Sequence, residues 1–152
     1  MTTLYVDADA CPVKDEIYRV AKRYGLPVIV VSNAPIRVPK DELISFVEVR
    51  GGFDAADNWI VEQLKPADIV ITADIPLAER GLTKGATVLG HKGNEFTEES
   101  IGDAMAGRAL QEMLRQYGEF GGGPAPFNKA DRSRFLSKLD ELIVRLRRRR
   151  RP

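Results

Sequence analysis

Short apolar runs alternate with longer segments whose apolar residues recur at helical spacing, and this alternation begins almost at the first residue. Thr3 to Asp7 reads as a strand, Pro12 to Tyr24 as a helix with proline in its first turn and Gly25 just past its end, and Pro27 to Val31 as a strand buried on both faces. Ser32 to Lys40, with two prolines, reads as a loop, and Ser45 to Val49 alternates weakly enough to suggest a third strand. After Gly51-Gly52, Phe53 to Lys65 reads as a helix with Asp54 as its N-cap. Asp68 to Thr72 is the next strand, Pro76 to Arg80 a short helix, and Ala86 to Leu89 a last small strand. Strands and helices in this order predict an α/β fold with a mainly parallel sheet covered by helices.

The final third of the chain has a different character. Thr97 to Tyr117 carries Ile101, Met105, Met113 and Leu114 among alanines, and Asn128 to Arg149 carries Phe135, Leu136, Leu139, Leu142, Ile143 and Leu146. Both patterns predict C-terminal helices with one apolar stripe. Between them, Gly118 to Phe127 is rich in glycine and proline and reads as a loop. The expectation is one domain over residues 1–149, with a basic tail at 145–152 and no internal repeat.

Composition narrows the function classes. No apolar run approaches the roughly 20 residues of a bilayer span, and the N-terminus lacks a basic-then-apolar leader, so a cytoplasmic protein without membrane contact is expected. The single Cys11 can form neither an internal disulfide nor a thiolate zinc site by itself. It reads as a small packed residue. The net charge of +1 conceals an uneven distribution, because six arginines lie between Arg145 and Arg151 and leave 17 basic against 22 acidic residues elsewhere. Such a tail either binds a polyanion such as nucleic acid without reading sequence, or ends a helix where cations favour the negative pole of its dipole.

Candidate chemistry lies in the aspartates. Asp7 and Asp9 follow the first strand, Asp74 closes the fourth, and Asp57 falls early in a helix. Ligands of open α/β sheets bind beyond the carboxyl ends of the strands, where acids from separate strands meet. Carboxylates gathered there repel one another unless a cation intervenes, and Mg²⁺ or Mn²⁺ prefers oxygen ligands. With an extended chain through Asp9, Asp7 and Asp9 would point the same way. Asp54 and Asp74 would equally serve as helix caps. Asn58 offers a further oxygen ligand or substrate contact, Thr72 a hydroxyl for water or phosphate, and Ser32 and Asn33 lie beyond the second strand where substrate would pass. Lys14, Arg37 and Lys92 are candidate phosphate contacts, and the sole histidine, His91, sits in a Gly90-His91-Lys92-Gly93 turn. Neither a Walker loop nor a dinucleotide-binding glycine motif is present.

The blocks Asp7-Ala8-Asp9-Ala10-Cys11-Pro12-Val13-Lys14, Asp57-Asn58, Thr72-Ala73-Asp74-Ile75-Pro76-Leu77-Ala78, Gly85-Ala86, Gly123-Pro124-Ala125-Pro126-Phe127 and Asp131-Arg132-Ser133-Arg134-Phe135 resemble, in order, those of the YaiI/YqxD family of bacterial proteins, related to the PIN-like nuclease superfamily. The resemblance implies a three-layer α/β/α sandwich with strand order 3-2-1-4-5, which would bring Asp7 and Asp74 together where the sheet reverses. It also implies phosphodiester hydrolysis, in RNA above all, with Mg²⁺ or Mn²⁺ held by Asp7, Asp57 and Asp74, and with Asp9 and Asp54 as extras. Asp7-x-Asp9 followed by Val30-Val31-Ser32 more faintly echoes haloacid-dehalogenase-type phosphatases, in which Asp7 would be a nucleophile and Asp9 an acid/base. A third reading is a non-catalytic RNA-binding or regulatory protein that uses the basic tail.

Overall fold

A computed structural model describes residues 2–52, 54–103, 106–107 and 126–149. Its elements are β1 (Leu4–Asp7), α1 (Lys14–Tyr24), β2 (Val28–Ser32), β3 (Ile44–Glu48), α2 (Ala55–Gln63), β4 (Ile69–Ile71), α3 (Ile75–Thr83), β5 (Thr87–Leu89), β6 (Glu95–Phe96) and α4 (Lys129–Arg149). The sheet order is β3-β2-β1-β4-β5-β6. The first five strands run parallel and β6 returns antiparallel to β5.

Strand alternation divides the core into two layers, because successive side chains face opposite sides of a sheet. Leu4, Val6, Val28, Val30, Ile69, Ile71 and Leu89 pack with Ile17 and Val20 of α1 and with Phe135, Leu139 and Leu142 of α4. Tyr5, Val31, Val70 and Val88 face the other way, toward Ile60 of α2 and Leu77 and Ala78 of α3. The result is a three-layer sandwich. By the same alternation Asp7 and Thr72 project to the α2/α3 side, which decides what they meet.

Helix ends follow local chemistry. Gly25 is left-handed (φ 66°) and its amide bonds to Lys22 O, while the Leu26 amide bonds to Ala21 O at 2.9 Å, a Schellman stop that seats Leu26 in the core. Asn128 and Asp131 cap α4 reciprocally: each side chain accepts the other's amide, at 2.9 and 3.0 Å. The expected start of α1 at Pro12 moves to Lys14, because residues 9–13 are used in turns with the Cys11 amide bonded to Ala8 O. The expected stop of α3 at Arg80 is overrun to Thr83. Gly81 breaks nothing there, since its bare Cα lets the helix approach β5, where a Cβ would come within 3.0 Å of Val88. Asp54 occupies the N-cap of α2 but its side chain makes no capping bond, contrary to expectation.

One short strand departs further from the sequence reading. β6 was not expected, being two residues long and therefore without a readable alternation. Residues 145–149 continue α4, in keeping with the helix expected to run to Arg149. Arg145 forks onto both oxygens of Glu95 at 3.2 and 2.6 Å, and Arg147 lies 4.8 Å over the Tyr24 ring and donates to Tyr24 O. Of the expected helix from Thr97 to Tyr117, residues 98–103 and 106–107 are helical, with Thr97 and Ser100 exchanging capping bonds. Its remainder, with Met105, Met113 and Leu114, lies outside the described residues, as do residues 118–125 of the glycine-rich loop and Arg150 and Arg151. Among the described residues no helix is long and apolar enough to cross a membrane.

Candidate active site

β1 is flanked by β2 on one side and β4 on the other, so its carboxyl end is the point where the sheet reverses. Asp7 is its last residue. The Asp7 carboxylate accepts the Thr72 hydroxyl at 2.7 Å, and Thr72 Oγ1 in turn accepts the Asp74 amide at 2.9 Å. Asp74 Oδ1 caps α3 by accepting the Leu77 amide at 2.9 Å. Thr72, which is fully buried, thus ties the ends of β1 and β4 into one unit. Its single proton is committed to Asp7 and one lone pair to the Asp74 amide, so its hydroxyl positions both residues.

Asp57 reaches the same place from the first turn of α2. Burial pushes its carboxyl up to about 6, with Asp7, Asp74 and Asp54 adding negative charge and Arg80 acting the other way. Asp7 is also raised, first by burial and then by Asp74 and Asp9, against the lowering effect of the Thr72 bond. Three carboxylates from three elements therefore feel one another's charge, which is the electrostatic signature of a place that favours a cation. Among the described residues, however, no three histidine, cysteine or carboxylate side chains close into a finished metal-binding group. Asp7, Asp57 and Asp74 are suitable donors in type and charge for a hard divalent ion, and in this conformation they converge without closing.

The Asp57 shift fixes a pH dependence. With a folded pKa of about 6 against an ordinary 3.8, the folded protein holds a proton that the unfolded chain releases. The contribution to stability is full below the unfolded value and is lost as pH rises through about 6. Asp57→Asn removes that loss. In metal-free buffer its melting temperature is expected to exceed that of the wild type at pH 7.5 and to match it near pH 4, followed by the fluorescence of Trp59, the only tryptophan.

The other expected residues divide. Asp9 does not extend β1: the strand stops at Asp7 and the chain turns at Asp9–Ala10, with Ala10 at φ 52°, so Asp9 is exposed and acts on Asp7 through its charge and its backbone amide. Asn58 is exposed, and its Oδ1 accepts Arg80 Nη1 at 2.8 Å. Ser32 is buried and its hydroxyl accepts the Ala34 amide at 3.1 Å, a turn-forming bond, whereas Asn33 beside it is exposed. Lys14 is half-buried at the start of α1, and the charges acting on Asp7 and Asp57 do not include it. Cys11 is buried, and its burial pushes the thiol up, away from reactivity. Arg80 is the residue that sequence reasoning missed; its link to Asn58 joins α3 to α2 beside Asp57, and no spacing in the chain signals it.

The model of the family described as "Uncharacterized BCR, YaiI/YqxD family" matches residues 5–145. The chain belongs to the YaiI/YqxD family. Among curated relatives, a UPF0178 protein of Rhodopseudomonas palustris (strain TIE-1) is 57% identical over 150 residues, covering 99% of this chain and 95% of the relative. One from Bradyrhizobium sp. (strain ORS 278) is 59% identical over 148 residues, covering 97% and 90%, and one from Paramagnetospirillum magneticum (strain AMB-1) is 55% identical over 148 residues, covering 97% and 98%. No solved structure matches the chain. In this YaiI/YqxD member the matched region contains β1, β4 and the first turn of α2, and with them all three carboxylates.

Proposed function

We propose that this protein is a Mg²⁺- or Mn²⁺-dependent nuclease that hydrolyses phosphodiesters in RNA, with Asp7, Asp57 and Asp74 as the ion's ligands. The observation that carries this reading is the gathering of three carboxylates at the sheet's reversal point, where burial first, and then the charges of Asp7 and Asp74, push Asp57 up to about 6. The resemblance to PIN-like nucleases agrees with it. A bound divalent ion supplies charge neutralisation and a water of lowered pKa. The chain's own part is to hold its ligands in place: Thr72 fixes Asp7 and the backbone at Asp74, and the start of α3 fixes the Asp74 carboxylate. Asp57 is the adjustable member, because its raised pKa of about 6 lets it exchange its proton just below neutral pH.

The phosphatase-type reading draws no support from the turn at Asp9–Ala10, and the binding-module reading loses part of its tail to Glu95 and Tyr24. The deciding experiment is incubation of metal-stripped protein with mixed single-stranded and structured RNA. Cleavage on adding Mg²⁺ or Mn²⁺, and its loss with chelator, is expected; intact RNA under all of these conditions would refute the reading. A second expected result is thermal. Mn²⁺ at about 100 times its Kd should stabilise the fold by about 2.7 kcal/mol at pH 7.5, and by much less at pH 5, where Asp57 is protonated.

A further inference from the structure

A cavity of about 430 Å³ opens beside the carboxylates. Ala73 and Ile75, the two neighbours of Asp74, form part of its wall, so it begins within one residue of a proposed ligand. Phe96 and Phe127 add aromatic surface, and His91 and Asn94 from the turn between β5 and β6 add polar edges. Its size falls within the ~300–1,000 Å³ of small-molecule pockets, and its mixture of apolar wall and few polar groups is characteristic of them. None of the described residues lining it is acidic. Among the described lining residues Lys92 is the one charged residue, so beside the anionic carboxylates lies a wall that is mostly apolar and aromatic with a single cation.

We propose that this cavity is a nucleobase subsite, which takes the base of the nucleotide whose phosphate lies at Asp7, Asp57 and Asp74. The inference rests on the nuclease reading and names the part of the substrate that the carboxylates do not hold. Aromatic and aliphatic walls stack on the face of any base, and an amide side chain offers one donor and one acceptor to its edge. Asn94 lines the cavity from a fixed backbone position: Gly90 donates its amide to Asn94 O at 2.8 Å, and the Asn94 side chain lies over Gly90 in the space that a Cβ there would need. Burial lowers the pKa of His91, so at neutral pH the ring is uncharged and suits a neutral base better than a phosphate. Its Nε2 is buried with no hydrogen-bond partner among the described residues, which leaves this ring sensitive to any change in its surroundings.

That sensitivity supplies the test, because His91 is the only histidine and its ring protons are identifiable by proton NMR without assignment of the whole spectrum. Metal-free protein is titrated with adenosine, with uridine, and with ribose 5-phosphate. The nucleosides are expected to shift the His91 resonances saturably and ribose 5-phosphate to leave them in place; Phe127→Leu, which keeps apolar bulk, should weaken nucleoside binding roughly 5- to 100-fold. Asn94→Ala serves as a second variant, outside the packing of Phe127 on Arg132. Unmoved resonances at millimolar nucleoside, or an equal response to ribose 5-phosphate, would overturn the subsite. Because binding is read without metal or turnover, its failure alongside RNA cleavage leaves the nuclease reading standing, and nucleoside binding without any cleavage removes that reading alone.

Discussion

Asp7→Asn and Asp74→Asn are each expected to reduce metal-dependent RNA cleavage by about 10²–10³-fold, the scale of losing one preorganised electrostatic group from a reaction centre. Neither change should unfold the protein. Asparagine retains a carbonyl that can accept the Thr72 hydroxyl at position 7, and it is itself a good helix cap at position 74. What each removes is a negative charge and an ionic ligand. The substitutions also act on Asp57, since Asp7 and Asp74 are the two largest charge contributions to its raised pKa. In either variant the titration of Asp57 should move down toward 3.8, readable by carboxyl-carbon NMR. Full activity in both variants, with the Asp57 titration displaced as expected, would show that the carboxylates are coupled without being catalytic.

Phe135→Ala is expected to destabilise the fold by about 3–5 kcal/mol, a large fraction of the ~5–15 kcal/mol that holds a domain of ordinary size. Phe135 is fully buried, and it anchors α4 in the layer that α1 shares. The turn between β5 and β6 also rests there: Gly93 is left-handed (φ 84°), and a Cβ on it would stand 2.7 Å from the backbone of Arg134. The last helix is therefore part of the core that supports the strand edge. Denaturant unfolding followed by Trp59 fluorescence checks this, and a loss below about 1 kcal/mol would mean that α4 is an appendage. Removal of everything after Leu142 is a poor way to test the arginines, because it also deletes buried Ile143 and Leu146 and the contacts of Arg145 and Arg147. Replacing exposed Arg148 and Arg149 by alanine leaves those contacts intact and isolates their contribution to RNA affinity.

The parts of the fold legible in the sequence were those with a long or strong signal. The buried runs at Leu4-Tyr5-Val6 and Ile69-Val70-Ile71, the Gly25 stop and the Phe135-to-Leu146 stripe each reappear as β1, β4, the end of α1 and the buried face of α4. β6 and the true length of α3 were not legible, because two residues carry no period and because Gly81 looks like a breaker until Val88 is seen packed against it. At the site, charge was readable and hydrogen bonding was not. Asp7, Asp57 and Asp74 could be chosen from position after a strand or at a helix start, but the bonds from Thr72 to Asp7 and from Arg80 to Asn58 could not. Side-chain pairing between residues 65 apart in sequence leaves no local pattern.

The proposed activity requires Asp7, Asp57 and Asp74 to act as one cation site, and Mn²⁺ titration by calorimetry at pH 7.5 tests this directly. The wild type is expected to bind at a single saturable site, which Asp7→Asn, Asp57→Asn and Asp74→Asn each weaken and which fades as pH falls below about 6. No saturable binding, or equal affinity in the wild type and all three variants, would contradict it.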